Sequence, residues 1–372
     1  MRISALIITA ISIAHCASTL AGIRVEDDEG RWLKIGGRIQ LQYHEMSPSD
    51  GASTDEVILR RLRPYIQGSG GDNWKAKIQW DMGKGTIDLR DAYIAHTGWD
   101  WGTLYIGNYF TPFSRESLTS SKKQQLVERT LVASHNYGVT DRQAGLHLEG
   151  AAGDLFTWAA SLAKAAVDPD NSRVDFDTVV SLDSDADWSE GDLLGARIEY
   201  HPLGIMSYDQ GDFSRELKLT VGVAGYVWEN DGDNLDATRE KKDLDQASGL
   251  EVSGGLRGGG FSVDVEYGEI DAELVEASIT DGLYQDSETK IQHYAIEGGH
   301  MILPERIELV AGYENQDADG YATAWTRTSV GANYFVKKHD IKYQLTYRMG
   351  ENVDGEAGSD LDEIFVQAQY VF

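Results

Sequence analysis

The side chains best suited to chemistry are cations in an otherwise acidic chain. Arg38, Arg60, Arg61 and Arg63 lie close together in the first fifth of the sequence, and Lys122, Lys123 and Arg129 follow the hydroxyl pair Ser120 and Ser121. Guanidinium and ammonium groups attract anions, and a ring of them selects anions where an aqueous space is narrow and poorly screened. Plainer readings stand beside this one. Arg61 and Arg63 can pair with carboxylates such as Asp91, Lys122 and Lys123 can be a solvated pair, and Ser120 and Ser121 can cap a short helix.

Covalent and metal chemistry find little support. Neither a Gly-x-Ser-x-Gly elbow nor a His-Glu-x-x-His pair occurs, and His135, His147 and His293 are isolated. Asp183, Asp185 and Asp187 imitate the start of a calcium loop, as do Asn315, Asp317 and Asp319 with Gly320. Their twelfth positions are Leu194 and Thr326, where a bidentate glutamate is required. Gly254 to Gly260 reads as a tight hairpin, since no helix follows it to cradle a phosphate. No cofactor is indicated. A formal net charge of −28 argues against nucleic acid as a partner, and a hydrophobic content of 41% argues against disorder.

The elements that must position the cations are strands. Ile341, Tyr343, Leu345 and Tyr347 alternate with Lys342, Gln344, Thr346 and Arg348, and Trp74, Ala76, Ile78 and Trp80 alternate with Lys75, Lys77, Gln79 and Asp81. A helix would put Lys75 and Ile78 on one side, mixing charge into the apolar stripe. Sixteen such segments begin near Ile35, Val57, Trp74, Ile87, Thr103, Tyr137, Leu155, Leu193, Glu216, Gly249, Gly260, Lys290, Glu305, Trp325, His339 and Asp362. Their length, dyad period, even number and aromatic ends predict an all-β fold, a transmembrane antiparallel β-barrel, in preference to a soluble sandwich. Short turns on one rim and long acidic loops on the other fit an outer-membrane barrel in contact with lipid and lipopolysaccharide. By parity Arg38, Arg61 and Arg63 point inward with Gln40 and Gln42, whereas Arg60 reaches the interior only through a bulge or at a rim.

Residues 1–21 read as a cleavable secretory signal: Arg2, an apolar stretch over 3–13, and Thr19-Leu20-Ala21 before Gly22. Cleavage removes Cys16, the sole cysteine, and leaves 22–372 as one barrel.

Four stretches carry a family resemblance: Ile35-Gly36-Gly37-Arg38-Ile39-Gln40, Leu59-Arg60-Arg61-Leu62-Arg63, Leu89-Arg90-Asp91-Ala92-Tyr93-Ile94, and the run from Ile106-Gly107 through Pro112-Phe113 to Ser120-Ser121-Lys122, with Glu128-Arg129 beyond. In order and spacing they resemble the phosphate- and polyphosphate-selective porin O and P family over about 33–129. The resemblance implies a homotrimer of sixteen-stranded barrels, small anions as permeant solutes, and a third long loop folded into the lumen, here 111–135. Two features depart from the phosphate-selective members: Ser117 stands where they have lysine, and 183–192 and 229–245 are mainly acidic, with Arg239, Lys241 and Lys242 the concentrated basic residues there. Three readings follow: an anion-favouring porin, a general or cation-preferring porin governed by the acidic loops, and an outer-membrane barrel enzyme.

Overall fold

A segment that alternates apolar and polar side chains presents two different faces only when extended, so these runs form strands that share a sheet. The computed structural model describes residues 22–170, 173–176, 190–232 and 243–372. The signal segment 1–21 lies outside the described residues, as do Asp183, Asp185, Asp187, Arg239, Lys241 and Lys242. The first strands are β1 (Ile23–Glu26), β2 (Trp32–Gly36), β3 (Arg38–Pro48), β4 (Thr54–Leu62), β5 (Tyr65–Gly71), β6 (Trp74–Asp81), β7 (Asp88–Trp99) and β8 (Gly102–Phe110). After a long connection come β9 (Arg142–Ala152), β10 (Phe156–Ala165), the short β11 (Asp168–Asp170) and β12 (Arg173–Asp175), then β13 (Gly191–Tyr200), β14 (Lys218–Asn230) and β15 (Leu244–Gly258). The remainder are β16 (Phe261–Leu274), β17 (Glu288–Leu303), β18 (Ile307–Ala318), β19 (Trp325–Lys337), β20 (Ile341–Glu351) and β21 (Leu361–Val371).

Neighbours in sequence pair antiparallel from β5 to β10 and again, through β10 with β13, to β21. The last strand pairs with β3, Tyr370 opposite Ile39 and Gln367 opposite Gln42, and the backbones of Gly37 and Phe372 exchange hydrogen bonds. The path from β2 to β3 bends at Gly37 and that from β4 to β5 at Arg63-Pro64, with β2 paired to β5 and β3 to β4. The fold is all-β: among the described residues nineteen strands share one antiparallel sheet, and β11 and β12 pair separately.

Burial follows the alternation. Along β13 every second residue is buried, with Leu194 and Ile198 each 55% exposed between them. Leu41, Val57, Ile94, Leu162, Val227, Leu250, Ile296, Leu309, Leu345 and Val366 are likewise exposed on other strands. Such side chains each gain roughly 1.5–3 kcal/mol on leaving water, so in aggregate this surface demands hydrocarbon. The apolar core is on the other side of the strands. Phe113, Leu131, Tyr137 and Val139 of the long connection pack with Val174, Phe176, Tyr226, Trp228, Ile270 and Trp325.

The strand expected near Tyr137 begins instead at Arg142. Tyr137 and Val139 alternate with Gly138 and Thr140 as a strand would, yet they are buried against β12: Tyr137 forms a bridge with Val174, and Gly138 donates to the Val174 carbonyl at 2.8 Å. The long connection is therefore 111–141, longer than the 111–135 expected.

Candidate functional site

The connection 111–141 is buried along most of its length, although it contains little regular structure. A one-turn helix, Arg115–Leu118, is capped by Ser114, whose hydroxyl accepts from the Ser117 amide at 3.1 Å. Ser120 and Ser121 are thus not helix caps. Its backbone polar groups find partners on strands far apart in sequence. Gln40 donates to the Ser121 carbonyl, Lys342 to that of Gln124, Asn333 to that of Gln125, and Gln369 to that of Lys122, at 2.7–3.3 Å. Elsewhere the Glu116 amide donates to Glu266 at 2.9 Å and the Val127 amide to Thr346 at 3.3 Å. A buried irregular segment needs such partners, because each orphaned backbone group costs about 1–3 kcal/mol.

The arginines named from sequence converge on this segment. Arg38 is buried and donates to the Ser120 hydroxyl at 3.2 Å. Arg61 donates to Gln40 at 3.2 Å. Pairing of β3 with β4 slips between Gln40 and Leu41, which turns Arg60 to the same side as its neighbour, as inward access required. Glu128 receives both: Arg60 clamps it through Nε and Nη2 at 2.6 and 2.9 Å, and Arg61 Nη2 lies at 3.5 Å. Burial acts to raise the Glu128 carboxyl, but Arg60 and Arg61 outweigh it and hold the group well below the usual carboxylate range. Arg63 pairs with Asp81 at 2.6 Å and not with Asp91, which Arg142 and Lys77 occupy. Arg129 is fixed by the Ser117 and Thr119 carbonyls at 3.0 and 2.9 Å.

Sequence reasoning missed part of this cluster. Arg90 donates to Asp141 at 2.7 Å and Arg142 to Asp141 at 2.9 Å, tying the end of the long connection to β7 and β9. The adjacent Asp141-Arg142 and Arg90-Asp91 pairs were the available signal. A cavity of ≈ 600 Å³ is lined by Arg60, Arg61, Arg63, Lys84, Arg90 and Arg129, among others.

Charge pairing separates two kinds of cation. Arg60, Arg61, Arg63, Arg90 and Arg142 each have a carboxylate at ion-pair distance. Among the described residues no carboxylate comes within 4.0 Å of Arg38, Lys84, Lys122 or Arg129. Burial, then Arg38 and Lys123, lower the proton affinity of the Lys122 ammonium. The opposite wall is acidic: Glu199, Glu251, Asp264, Glu266, Glu297 and Glu308 are turned to the same interior, with Arg115, Arg197 and Arg257 among them. The interior is therefore polarised, basic beside β3–β9 and acidic beside β13–β18. Such an arrangement draws small anions toward one side.

An apolar outer surface and a polar interior are those of an outer-membrane porin channel of the Gram-negative cell. The profile of the phosphate-selective porin O and P family matches residues 33–239, more than half of the chain, and the protein belongs to that family. The match runs well past residue 129, where the recognisable motifs stop. An uncharacterised protein of Aquifex aeolicus is 26% identical over 296 residues, covering 76% of this chain and 67% of its own. An anion-selective porin from Comamonas acidovorans superposes with a TM-score of 0.58 at 12% identity, over 92% of this chain and 100% of that one. The trimer form of OmpT, an outer membrane protein of Vibrio cholerae, superposes with a TM-score of 0.56 at 14% identity, over 91% and 99%. At such identities the two structures speak for the fold alone.

Proposed function

We propose that the strands close into one sixteen-stranded channel, that 111–141 folds into its lumen as the constriction, and that the channel favours small anions. Counting β2 with β3 and β4 with β5 as two bent strands, and leaving aside β1, β11 and β12, gives sixteen. The pairing of β21 with β3 supports closure, as does the rule that bacterial single-chain barrels have even strand numbers. In this reading Arg38, Arg60, Arg61, Arg63, Ser120, Ser121, Lys122 and Arg129 line the path of the solute, residues 1–21 are removed on export, and three copies assemble side by side in a membrane of lipid and lipopolysaccharide.

What supports anion preference is that Arg38, Lys122 and Arg129 have no carboxylate at ion-pair distance among the described residues, whereas Arg60, Arg61 and Arg63 do. The charge of a permeant anion supplies what the protein leaves out. Zero-current reversal potential across a potassium chloride gradient tests it. A potential set by chloride is expected; one set by potassium refutes the proposal and favours a cation-preferring pore governed by the acidic wall. The enzyme reading is weaker. His147 meets Ser161 at 2.7 Å, but both are sealed in the wall at 2% and 3% exposure. Hydrolysis of ester or peptide substrates by the purified barrel, lost in Ser161→Ala, would revive it.

A further inference from the structure

The connection 201–217 between β13 and β14 is out of proportion to its task. Adjacent antiparallel strands need only a tight turn, and among the described residues every other connection on this rim (27–31, 72–73, 100–101, 153–155, 259–260, 304–306 and 338–340) has two to five residues. Seventeen residues are used here, a length that in compact folds is usually functional. The segment does not hang from the rim. Met206, Gln210 and Asp212 are 6%, 2% and 2% exposed. Starting from β13, it passes β15, where a Cβ on Gly255 would stand 2.3 Å from the Met206 Cε. Its Gly211 amide donates to Ser262 of β16 at 3.0 Å. Phe213 then meets Phe335 of β19 and His339 of the β19–β20 turn edge to face, centroids 4.9 and 5.0 Å apart. It thereby reaches a strand six places from where it started and the turn that follows it.

We propose that 201–217 is a strut crossing the channel and holding the constriction loop from below, with Gln210 as the positioning residue; this rests on the channel reading above. All four polar groups of Gln210 are engaged. Its amide donates to the Lys123 carbonyl at 3.0 Å, and its side-chain oxygen accepts from the Gln125 amide at 2.7 Å. Its side-chain nitrogen donates to Glu297 of β17 at 3.0 Å, and its carbonyl faces His339 Nε2 at 2.8 Å. Lys123 Nζ also lies 3.5 Å from Asp209. Loop residues 123–125 are thus pinned from outside the loop, immediately beside Lys122 and Ser121. Releasing them lets this stretch drift from Arg38, which widens the gap and weakens the field that a passing ion meets. The strut therefore determines selectivity through the loop without touching solute.

The test uses single-channel recording and reversal potential on the refolded full barrel. Gln210→Ala keeps the backbone contacts and deletes the two side-chain hydrogen bonds. A higher-conductance level is expected to gain roughly threefold to tenfold in occupancy, the population change controlled by the one of these two bonds that reaches the loop, Gln125 amide to Gln210, with a matching loss of ion discrimination. Cysteines at Lys123 and Asp209 are then added to the same variant; no other cysteine follows residue 21. Their oxidation should restore the single narrow level, and reduction should release it. Unchanged levels and selectivity in Gln210→Ala overturn the proposal, as does a widened channel that oxidation fails to narrow. Should Gln210→Ala not fold, Phe213→Ala loosens the far end of the strut and takes the same readouts. If neither folds, the segment serves folding alone and the proposal fails. A wild-type barrel that conducts no ions sinks the channel reading itself, whereas a conducting wild type with an indifferent Gln210→Ala sinks only the strut.

Discussion

Arg38→Gln is the substitution for which structure separates function from stability. The guanidinium is buried, donates to Ser120 at 3.2 Å and has no carboxylate at ion-pair distance, so glutamine strands no opposite charge. A unit charge about 10 Å from a permeant ion contributes ~0.4 kcal/mol in water. A Debye length of about 10 Å at 0.1 M salt cuts that to roughly a third. Because anion and cation feel opposite signs, their permeability ratio changes by twice the energy, and anion preference should fall roughly twofold to fourfold. Reversal potentials across a chloride gradient at low and high salt measure it; the effect should shrink toward 1 M. Arg38→Lys, which keeps the charge, should retain most of the preference. Heat resistance of the folded band in gel electrophoresis should not fall. An unchanged ratio, or a loss of heat resistance with the ratio intact, would refute the argument that this unpaired cation acts on the solute rather than on the fold.

Two further substitutions act in other directions. Glu128→Gln frees Arg60 and Arg61 from their shared partner, so anion preference should rise by a factor similar to that lost in Arg38→Gln, while the broken pair costs up to about 3–5 kcal/mol in unfolding; a fall in preference would show that the clamp shapes the pore more than it screens it. Glu116 accepts from the Thr130 amide at 3.1 Å and from its hydroxyl, and burial raises its carboxyl above the ordinary value of 4.5, against the pull of those hydrogen bonds. An acid whose folded value is raised adds stability that is complete below the unfolded value and lost as pH rises through the folded one. Heat resistance should therefore decline from pH 4.5 upward into the window set by Glu116, and Glu116→Gln should flatten that part of the profile; an unaltered profile would place the titration elsewhere.

The sequence by itself determined which surface faces lipid and which faces water. Alternation is a property of consecutive residues, so Lys342 to Arg348 and Trp74 to Asp81 declared their two faces with no knowledge of neighbours. It also placed Arg38, Arg61 and Arg63 in one interior and asked for a bulge or a rim position for Arg60, and the slip at Gln40 and Leu41 supplies the bulge. Partnership was not legible. Glu128 rather than Asp91 receives Arg61, and Asp81 receives Arg63, because residues far apart in sequence meet only once the wall curves and the loop lies against it. The false strand at Tyr137 has the same origin: Tyr137 and Val139 alternate correctly, but they are buried against Val174 and Tyr226, contacts that no local pattern encodes. Likewise 201–217 reads as a polar connection, and only the tertiary structure brings Gln210 against Lys123, Gln125, Glu297 and His339. Local periodicity fixes orientation, whereas the pairing of buried charges depends on distances that tertiary closure alone creates.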